Sequence, residues 1–333
     1  MHNLKELYNN KEILITGGGG FIGSNLAIKL EKLGAKISIM DSRLDSYGYN
    51  EYNLKPIKGA CFFDFSDIRD KNAVERNIRG KDIIFNLAAQ VGEESSQKNP
   101  ELDYEINILG HQNVIHACIK NNKKARLVFP GSKTQYGKTG NSSISENHKM
   151  NPVTPYAINK KLGENMYQDA YKTHGLETVM FRIANPFGPR AAINNPGYCI
   201  VNWFVGKAIN CDPLPIYGEG LQIRDYIFID DLIHAMAIAG VSENSKGQIY
   251  NLGSGVGTPF KDMAQSIINI ADNGRSELNF INWPTDAKNR ETGNFTANIS
   301  KIQKDLGWIP TWSLEDGLKK TIDYYRENIE EYL

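Results

Sequence analysis

Long apolar runs, an excess of charge and paired cysteines are all missing from this sequence of 333 residues. No stretch approaches the roughly 20 apolar residues that span a bilayer. Its 38 basic residues balance 38 acidic ones, so neither a membrane nor a nucleic acid is an expected partner. Cys61, Cys118, Cys199 and Cys211 show no C-x-x-C spacing. We therefore expect a reducing compartment, the cytoplasm, with neither a disulfide framework nor a metal site.

The order of apolar segments predicts an α/β protein of one large or two closely joined domains. In the first half, short apolar runs alternate with helical patterns, as in a parallel sheet with helices on both faces. Strands are predicted at residues 12–16, 36–40, 59–63, 82–87, 126–130 and 177–183. Helices are predicted at 21–33, 70–78, 101–121, 155–173 and 314–329. Two later strands, at 226–228 and 248–251, are expected to return to the same sheet.

The segment between the first strand and the first helix is rich in glycine. It reads Gly17-Gly18-Gly19-Gly20-Phe21-Ile22-Gly23 and satisfies both Gly-x-Gly-x-x-Gly and Gly-x-x-Gly-x-x-Gly. Glycines let the backbone turn tightly and approach a pyrophosphate closely. The helix that follows offers free N–H groups and its positive dipole end to the phosphates. This arrangement predicts a dinucleotide site.

An acidic residue ends the second predicted strand. Asp41 stands at the tip of residues 36–40, where a carboxylate can accept both hydroxyls of an adenosine ribose. A 2′-phosphate would meet this negative charge, so NAD is favoured over NADP. The glycine loop and Asp41 together predict a Rossmann-type doubly wound parallel sheet, with its ligand at the carboxyl ends of the strands.

Tyr156 and Lys160 stand one helical turn apart at the start of a predicted helix. A tyrosine with its ordinary pKa near 10 needs help to act as a base near neutrality. A nearby ammonium group and an oxidised nicotinamide ring would favour the phenolate and lower that pKa. Ser132 follows the strand at 126–130, where its hydroxyl can hold the same substrate oxygen. We take these three residues as the candidate catalytic group.

These motifs together resemble the extended short-chain dehydrogenases/reductases, in the NAD-dependent nucleotide-sugar epimerase/dehydratase group that includes UDP-glucose/galactose 4-epimerases. The likeness runs from residue 13 to about residue 312. Besides the glycine loop and the Ser132, Tyr156 and Lys160 set, it is carried by Asp67-Ile68, Asn86-Leu-Ala-Ala-Gln90, Asn107-x-x-Gly110-x-x-Asn113, Arg182-x-x-Asn185-x-x-Gly188-Pro189, Gly220-x-Gln-x-Arg-Asp-Tyr226 and Leu306-Gly-Trp-x-Pro310. It implies a smaller, interleaved C-terminal substrate domain. The NAD-binding domain would take residues 1–188 plus 223–254, and the nucleotide-sugar domain 189–222 plus 255–333.

The resemblance also implies roles for single residues. NAD contacts are implied for Gly17, Gly20, Phe21, Ile22, Gly23, Asp41, Asp67, Ile68, Leu87, Ala88, Ala89, Tyr156 and Lys160. Contacts to a nucleotide-diphosphate sugar are implied for Ser132, Thr134, Asn185, Arg224 and Arg290. Arg224 is expected on the diphosphate, because a guanidinium pairs phosphate oxygens in a bidentate way. Relatives pair the helices at 101–121 and 155–173 with a symmetry mate, which implies a homodimer.

Residues 133–135 bear on the reaction. Relatives that dehydrate or decarboxylate carry an acidic residue in this segment, whereas this chain has Lys133, Thr134 and Gln135. Inversion of a hydroxyl through a transient keto sugar, with retained NAD, needs no further acid or base beside Tyr156. We therefore predict a nucleotide-sugar epimerase, with C4 as the favoured site of inversion. The alternatives are a CDP-tyvelose-type C2 epimerase, a nucleotide-sugar 4-ketoreductase or dehydratase, and a non-catalytic protein that senses dinucleotide.

Overall fold

The structure, a computed structural model, describes residues 3–44, 48–140, 143–272 and 274–333. The strands are β1 (Glu12–Thr16), β2 (Lys36–Met40), β3 (Cys61–Asp64), β4 (Ile83–Asn86), β5 (Arg126–Ser132), β6 (Thr178–Ile183), β7 (Asn185–Phe187), β8 (Leu214–Tyr217), β9 (Ile223–Phe228), β10 (Gln248–Leu252), β11 (Gly257–Pro259) and β12 (Leu278–Ile281). The α-helices are α1 (Leu4–Tyr8), α2 (Phe21–Lys32), α3 (Lys71–Ile78), α4 (Glu93–Lys98), α5 (Pro100–Tyr104), α6 (His111–Asn121), α7 (Pro155–His174), α8 (Ile200–Ile209), α9 (Ile229–Val241), α10 (Phe260–Asp272), α11 (Thr285–Arg290), α12 (Ser300–Leu306) and α13 (Leu314–Asn328).

Seven parallel strands form the main sheet, in the order β10-β6-β5-β4-β1-β2-β3. The chain starts in the middle, at β1, builds outward through β2 and β3, and then crosses to β4 on the other side. The strand order therefore reverses between β1 and β4. In open α/β sheets this reversal leaves a crevice at the carboxyl ends of the strands, where ligands bind. The predicted Rossmann-type doubly wound fold is confirmed.

The apolar core lies on both faces of this sheet. Along β1, Ile13 and Ile15 face one buried cluster and Leu14 faces the other, as the two-residue period of a strand requires. Helices cover each face, so strands such as β5 are buried along almost their whole length. A strand buried on both sides reads as a continuous apolar run, which is why these strands were detectable in the sequence.

The helix predicted at 101–121 is present, but its middle part has π-helical hydrogen bonding. It consists of α5, a π-helical segment from Glu105 to Gly110, and α6. At the end of the π segment, a Cβ on Gly110 would lie 2.6 Å from the Ile68 side chain, so only glycine allows this close approach. π-helical turns of this kind occur frequently at functional sites, and this one lies under the loop after β4.

The prediction that residues 226–228 return to the main sheet is wrong. They belong to β9, which lies in a three-stranded sheet in the order β11-β9-β7, while β8 and β12 form a separate parallel pair. In the small sheet, Asn185 of β7 pairs with Tyr226 of β9, and Arg224 of β9 pairs with Thr258 of β11. The small sheet thereby brings Asn185 and Arg224 to the same cleft.

Across the described ranges, no helix combines the length and apolar character needed to cross a bilayer. In the same residues, no group of three or more histidine, cysteine, aspartate or glutamate side chains is arranged to hold a metal ion. The four cysteines are free thiols, and burial raises the pKa of Cys199 to about 12.

Candidate active site

A cleft of about 540 Å³ opens at the carboxyl edge of the main sheet. The structure brings all of the predicted site residues to its walls: Gly17, Gly20, Phe21, Ile22, Gly23, Asp41, Asp67, Ile68, Leu87, Ala88, Ala89, Ser132, Thr134, Tyr156, Lys160, Asn185, Arg224 and Arg290. They come from β1, β2, β3, β4, β5, β7 and β9 or the loops after them, and from helices α2, α7 and α11. Residues remote in sequence therefore meet in one crevice.

The glycine loop fits a dinucleotide because its backbone leaves no room for side chains. The Gly17 N–H donates to Met40 O at 2.8 Å, which bends the chain over β2. Gly17 has a φ of +66°, and a Cβ there would lie 2.8 Å from the Ala88 backbone nitrogen. A Cβ on Gly23 would lie 2.2 Å from Gly17 O. The loop can therefore form a bare cradle at the start of α2 only with glycine at these two positions.

Asp41 lies at the rim of this cradle. Its carboxylate accepts the Gly19 N–H at 2.9 Å and the Arg43 N–H at 3.0 Å. Burial raises the pKa of Asp41, and these two hydrogen bonds oppose the rise. The Arg43 guanidinium stacks 3.3 Å from the centre of the Phe65 ring. The carboxylate thus lines the cleft as an acceptor for hydroxyl groups, as the ribose of NAD requires.

Hydrogen bonds from other residues hold Asp67 and Ile68, which follow β3. The Asp67 carboxylate accepts the Arg69 N–H at 2.8 Å and its guanidinium at 2.8 Å. Asn113 of α6 donates to Ile68 O at 3.0 Å. These bonds explain why Asn113 recurs in the motif on the helix: it anchors the loop that carries two predicted NAD contacts.

His111, for which the sequence suggested no role, supports the loop after β4. Its Nε2 lies 3.1 Å from Ala88 O, and its Nδ1 lies 3.1 Å from Asn86 Nδ2. The hydroxyl of Thr16 accepts the Ala88 N–H at 3.0 Å and donates to Asn86 Oδ1 at 2.6 Å. Burial lowers the pKa of His111 to about 3, so the ring is neutral. The contacts fix residues 87–89 against the cradle.

Tyr156 stands in the first turn of α7. Thr154 caps this helix by accepting the Ala157 N–H at 3.3 Å, and the Tyr156 N–H is bound by Ser96 Oγ at 3.1 Å. One turn on, Lys160 Nζ donates to Pro130 O at 3.0 Å and lies 5.7 Å from the centre of the Tyr156 ring. The helix start therefore aims both side chains into the cleft.

Burial and nearby charges act on the pKa of both Tyr156 and Lys160. Burial raises its pKa, the nearby Asp103 and Glu93 raise it further, and a hydrogen bond with Ser132 lowers it. Burial also lowers the pKa of Lys160 to about 8. Desolvation of the phenolate is the largest of these influences on the pKa of Tyr156, so the protein side chains alone favour the neutral phenol. The expected lowering also includes the positive charge of an oxidised nicotinamide ring, and it stays a prediction.

Ser132 begins a short 3₁₀ turn that is tied into the core. Its hydroxyl accepts from the Thr134 hydroxyl at 3.0 Å, and its N–H donates to Gln135 Oε1 at 2.7 Å. Gln135 Nε2 then donates to Glu164 Oε2 at 2.9 Å, and Glu164 is paired with Arg182 at 2.7 Å in the buried core. Thr134 and Gln135 thus hold the candidate catalytic serine, and the sequence had not indicated this task for Gln135.

Arg224 reaches the cleft with its guanidinium already engaged. Its Nη2 donates to both carboxylate oxygens of Glu291 at 2.7 Å, and its Nη1 donates to Gly293 O at 2.7 Å. The Asn185 amide donates to Asp225 O at 2.8 Å. Glu291 was missed because 67 residues separate it from Arg224, and nothing local marks such a partner.

Arg290 lies beside this pair at the end of α11. Its Nη1 donates to Gln97 Oε1 at 2.9 Å, and its Nη2 lies 3.7 Å from Glu94. Two further charged residues, Lys133 and Glu93, also line the cleft. The Glu93 carboxylate accepts from the Thr154 hydroxyl at 3.1 Å.

Comparison with known proteins agrees with this geometry. Residues 13–253 match the NAD dependent epimerase/dehydratase family. The chain is 31% identical to a UDP-N-acetyl-alpha-D-glucosaminuronate decarboxylase of Bacillus cytotoxicus (95% of this chain, 98% of that protein). It is 29% identical to a CDP-paratose 2-epimerase of Salmonella typhi (94% and 98%). A solved UDP-glucose 4-epimerase of Thermotoga maritima, in complex with UDP-glucose, superimposes with a TM-score of 0.88 at 27% identity (96% and 99%).

The match covers the cradle, Asp41, Ser132, Tyr156 and Lys160, and the cradle has the shape that a pyrophosphate needs. With these observations together, the chain belongs to the NAD-dependent epimerase/dehydratase family of enzymes, and its cofactor is NAD.

Proposed function

We propose that this protein is a nucleotide-sugar epimerase that inverts a sugar hydroxyl through a transient keto sugar. C4 is the favoured position of that hydroxyl. The observation that carries the proposal is the convergence of Ser132, Tyr156 and Lys160 beside the dinucleotide cradle, with no acidic side chain at residues 133–135. The similarity to a UDP-glucose 4-epimerase supports C4, and the CDP-paratose 2-epimerase keeps C2 as the alternative position.

In this reaction Tyr156 removes the proton of the sugar hydroxyl, and Ser132 binds the same oxygen and orients it. The glycine loop and Asp41 would hold NAD, which would supply the hydride acceptor and donor for the sugar carbon. Lys160 places a positive charge near the phenolate that Tyr156 must form. The keto sugar turns over in the cleft before the hydride returns to its opposite face, and Tyr156 gives the proton back to the new hydroxyl.

Arg224 is proposed to meet the diphosphate of the substrate. Since Glu291 occupies its guanidinium, a diphosphate takes over the place of that carboxylate when it binds.

We also propose the division into an NAD-binding domain (1–188 plus 223–254) and a nucleotide-sugar domain (189–222 plus 255–333). In support, Arg290 and Glu291 of the second set face the cradle of the first across the cleft.

Glu93 favours a second candidate, a dehydratase of the same family. It lines the cleft and acts on the pKa of Tyr156, so it offers an acid–base group that the sequence motif lacks. A dehydratase would release water from the sugar, whereas an epimerase leaves the mass of the substrate unchanged.

Exposed apolar side chains support a homodimer. On the helices that relatives pair with a symmetry mate, Tyr104, Leu109, Ile158 and Leu162 are all more than a third exposed. Such a row of large apolar side chains on neighbouring helices is typical of a protein–protein interface. We propose that α5, the π segment and α7 pack against their copies in a second subunit.

The test is incubation of the purified enzyme with UDP-, dTDP-, CDP- and GDP-sugars in heavy water, followed by NMR and mass spectrometry. Inversion at one carbon, with unchanged mass, no deuterium in the product and no added NAD, is the expected result. Loss of water identifies the dehydratase, and dependence on added dinucleotide identifies a ketoreductase. The Tyr156→Phe variant should retain NAD and lose turnover; full activity in that variant refutes the mechanism.

A further inference from the structure

Lys133 is a cation of the cleft that the proposed mechanism does not use. It directly follows Ser132 and lies half-buried in the cleft wall. Its Nζ stands 5.8 Å from the centre of the Phe295 ring. Within the described part of the chain, no carboxylate oxygen lies within 4.0 Å of this nitrogen, and it donates no hydrogen bond.

The other cations of the cleft are satisfied by the protein. Arg224 is bound by both oxygens of Glu291. Arg290 donates to a glutamine, and Lys160 donates to a backbone carbonyl. A half-buried ammonium without a partner is unfavourable, so Lys133 is the cation that is ready to accept an anion from the ligand.

The charged groups that face Lys133 come from three elements. The Arg224 guanidinium of β9 has the largest electrostatic effect on Lys133, and the carboxylates of Glu93 in α4 and Glu291, just after α11, have smaller effects of the opposite sign. Burial, assisted by Arg224, lowers the pKa of Lys133 to about 8. Both glutamates already accept hydrogen bonds from other residues, so neither neutralises the ammonium at close range.

The position of Lys133 points to the sugar rather than to the nucleotide. Consecutive Cα atoms are about 3.8 Å apart, so the lysine starts next to the serine that binds the reacting hydroxyl. An anion attached to the same sugar ring as that hydroxyl is therefore within reach of the lysine side chain. The diphosphate has its own proposed partner in Arg224.

We propose that Lys133 selects a nucleotide sugar whose ring carries a carboxylate, that is, a uronic acid. This inference rests on the proposed function and specifies its substrate class. A carboxylate at C6 leaves no C6 hydroxyl to eliminate, so such a substrate suits inversion at C4 and excludes 4,6-dehydration. The ammonium forms a charge-assisted hydrogen bond with the carboxylate, and these are the stronger kind.

The test measures binding of the NAD-loaded enzyme to matched probes by calorimetry: the glucose and glucuronate esters of UDP, dTDP, CDP and GDP. For the nucleotide that binds, the glucuronate ester should bind roughly 10- to 100-fold more tightly than the glucose ester. Lys133→Met should remove this preference, Lys133→Arg should keep it, and Lys138→Met, a change at an exposed lysine in the same loop, should leave it unchanged. Unaltered thermal melting controls for folding.

The pH dependence gives a second readout. Above pH 8, Lys133 of the free enzyme loses its proton, so the preference for glucuronate should fall by up to about tenfold per pH unit. The glucose ester lacks the carboxylate and serves as the reference for every other titrating group. Lys133→Met should remove this pH dependence of the preference.

Three outcomes overturn the proposal. The first is equal binding of the glucose and glucuronate esters for all four nucleotides. The second is that Lys133→Met weakens the binding of both esters and of the free nucleoside diphosphate to the same extent, which would assign the lysine to the diphosphate. Absence of binding by every probe also overturns it. Binding is a readout separate from the identity of the product. A glucuronate preference accompanied by carbon dioxide release instead of inversion therefore refutes the epimerase and leaves the substrate class standing.

Discussion

Gln135 offers the sharpest test of how Ser132, the candidate catalytic serine, is held. It is fully buried and does not line the cleft, yet it joins the Ser132 N–H to Glu164 through two hydrogen bonds of 2.7 and 2.9 Å. Gln135→Met keeps the length of the side chain and removes both bonds. A neutral hydrogen bond contributes about 1 kcal/mol and one to a charged group about 1.5–3 kcal/mol, so the free energy of unfolding should fall by about 2–4 kcal/mol.

Activity should fall as well, because Ser132 is no longer fixed opposite Tyr156. A displacement of about 1 Å near reacting groups costs on the order of 100-fold in rate, and we expect kcat to fall by roughly 10- to 100-fold. NAD content should not change. Urea unfolding gives the stability, NMR of the turned-over sugar nucleotide gives kcat, and absorbance of the released dinucleotide gives NAD content. Gln265→Ala, at an exposed glutamine of α10, is the control.

Loss of stability with wild-type kcat would refute the reasoning. Ser132 would then be positioned by its strand and by Thr134 alone. Glu164 keeps two bonds from Arg182, at 2.8 and 2.7 Å, in the variant. The fold should therefore survive the change, and kcat remains measurable.

Three more predictions follow from distances and charges in the cleft. Gly23→Ala puts a Cβ 2.2 Å from a backbone oxygen and should yield protein without NAD, whereas Gly59→Ala, with no atom within 4 Å, should retain it. Burial lowers the pKa of Lys160 to about 8 in the folded protein, against about 10.4 in the unfolded chain, so the unfolded chain binds more protons between these two pH values. The free energy of unfolding should therefore rise by up to about 1.4 kcal/mol per pH unit in that range. Urea unfolding should show no such rise for Lys160→Met. Leu162→Glu should give monomers by light scattering, while Leu221→Glu should not, although both leucines are exposed, by 42% and 53%. A dimer that survives Leu162→Glu would place the interface elsewhere.

Most strands of the main sheet were predictable because they are buried on both faces; the edge strand β3 is more exposed. Residues 12–16 and 36–40 were predicted with the bounds that β1 and β2 have. The glycine loop was equally predictable from the sequence, because the requirement for glycine in it is steric and local. The π segment at 105–110 was not, because it alters hydrogen bonding without changing the apolar pattern on which helix prediction rests.

Long-range pairing limited what the sequence could say of the substrate side. β9 pairs with β7 about 40 residues earlier, and an apolar run does not state which sheet it joins. The same holds for the partners of Arg224 and Gln135, which lie 67 and 29 residues away. The pKa of Tyr156 depends on burial and on Asp103, and neither can be read from the spacing of Tyr156 and Lys160.

The pair of Arg224 and Glu291 has a consequence for small competitors in the cell. Any phosphate group that reaches this guanidinium must displace a carboxylate already bound through two hydrogen bonds. Inorganic phosphate lacks the base and the sugar of the proposed substrate, so it would gain less from such an exchange than the complete substrate. A ligand anchored at both its base and its sugar would gain more, so with the proposed role of Arg224 this pair would favour a tethered diphosphate over simple anions.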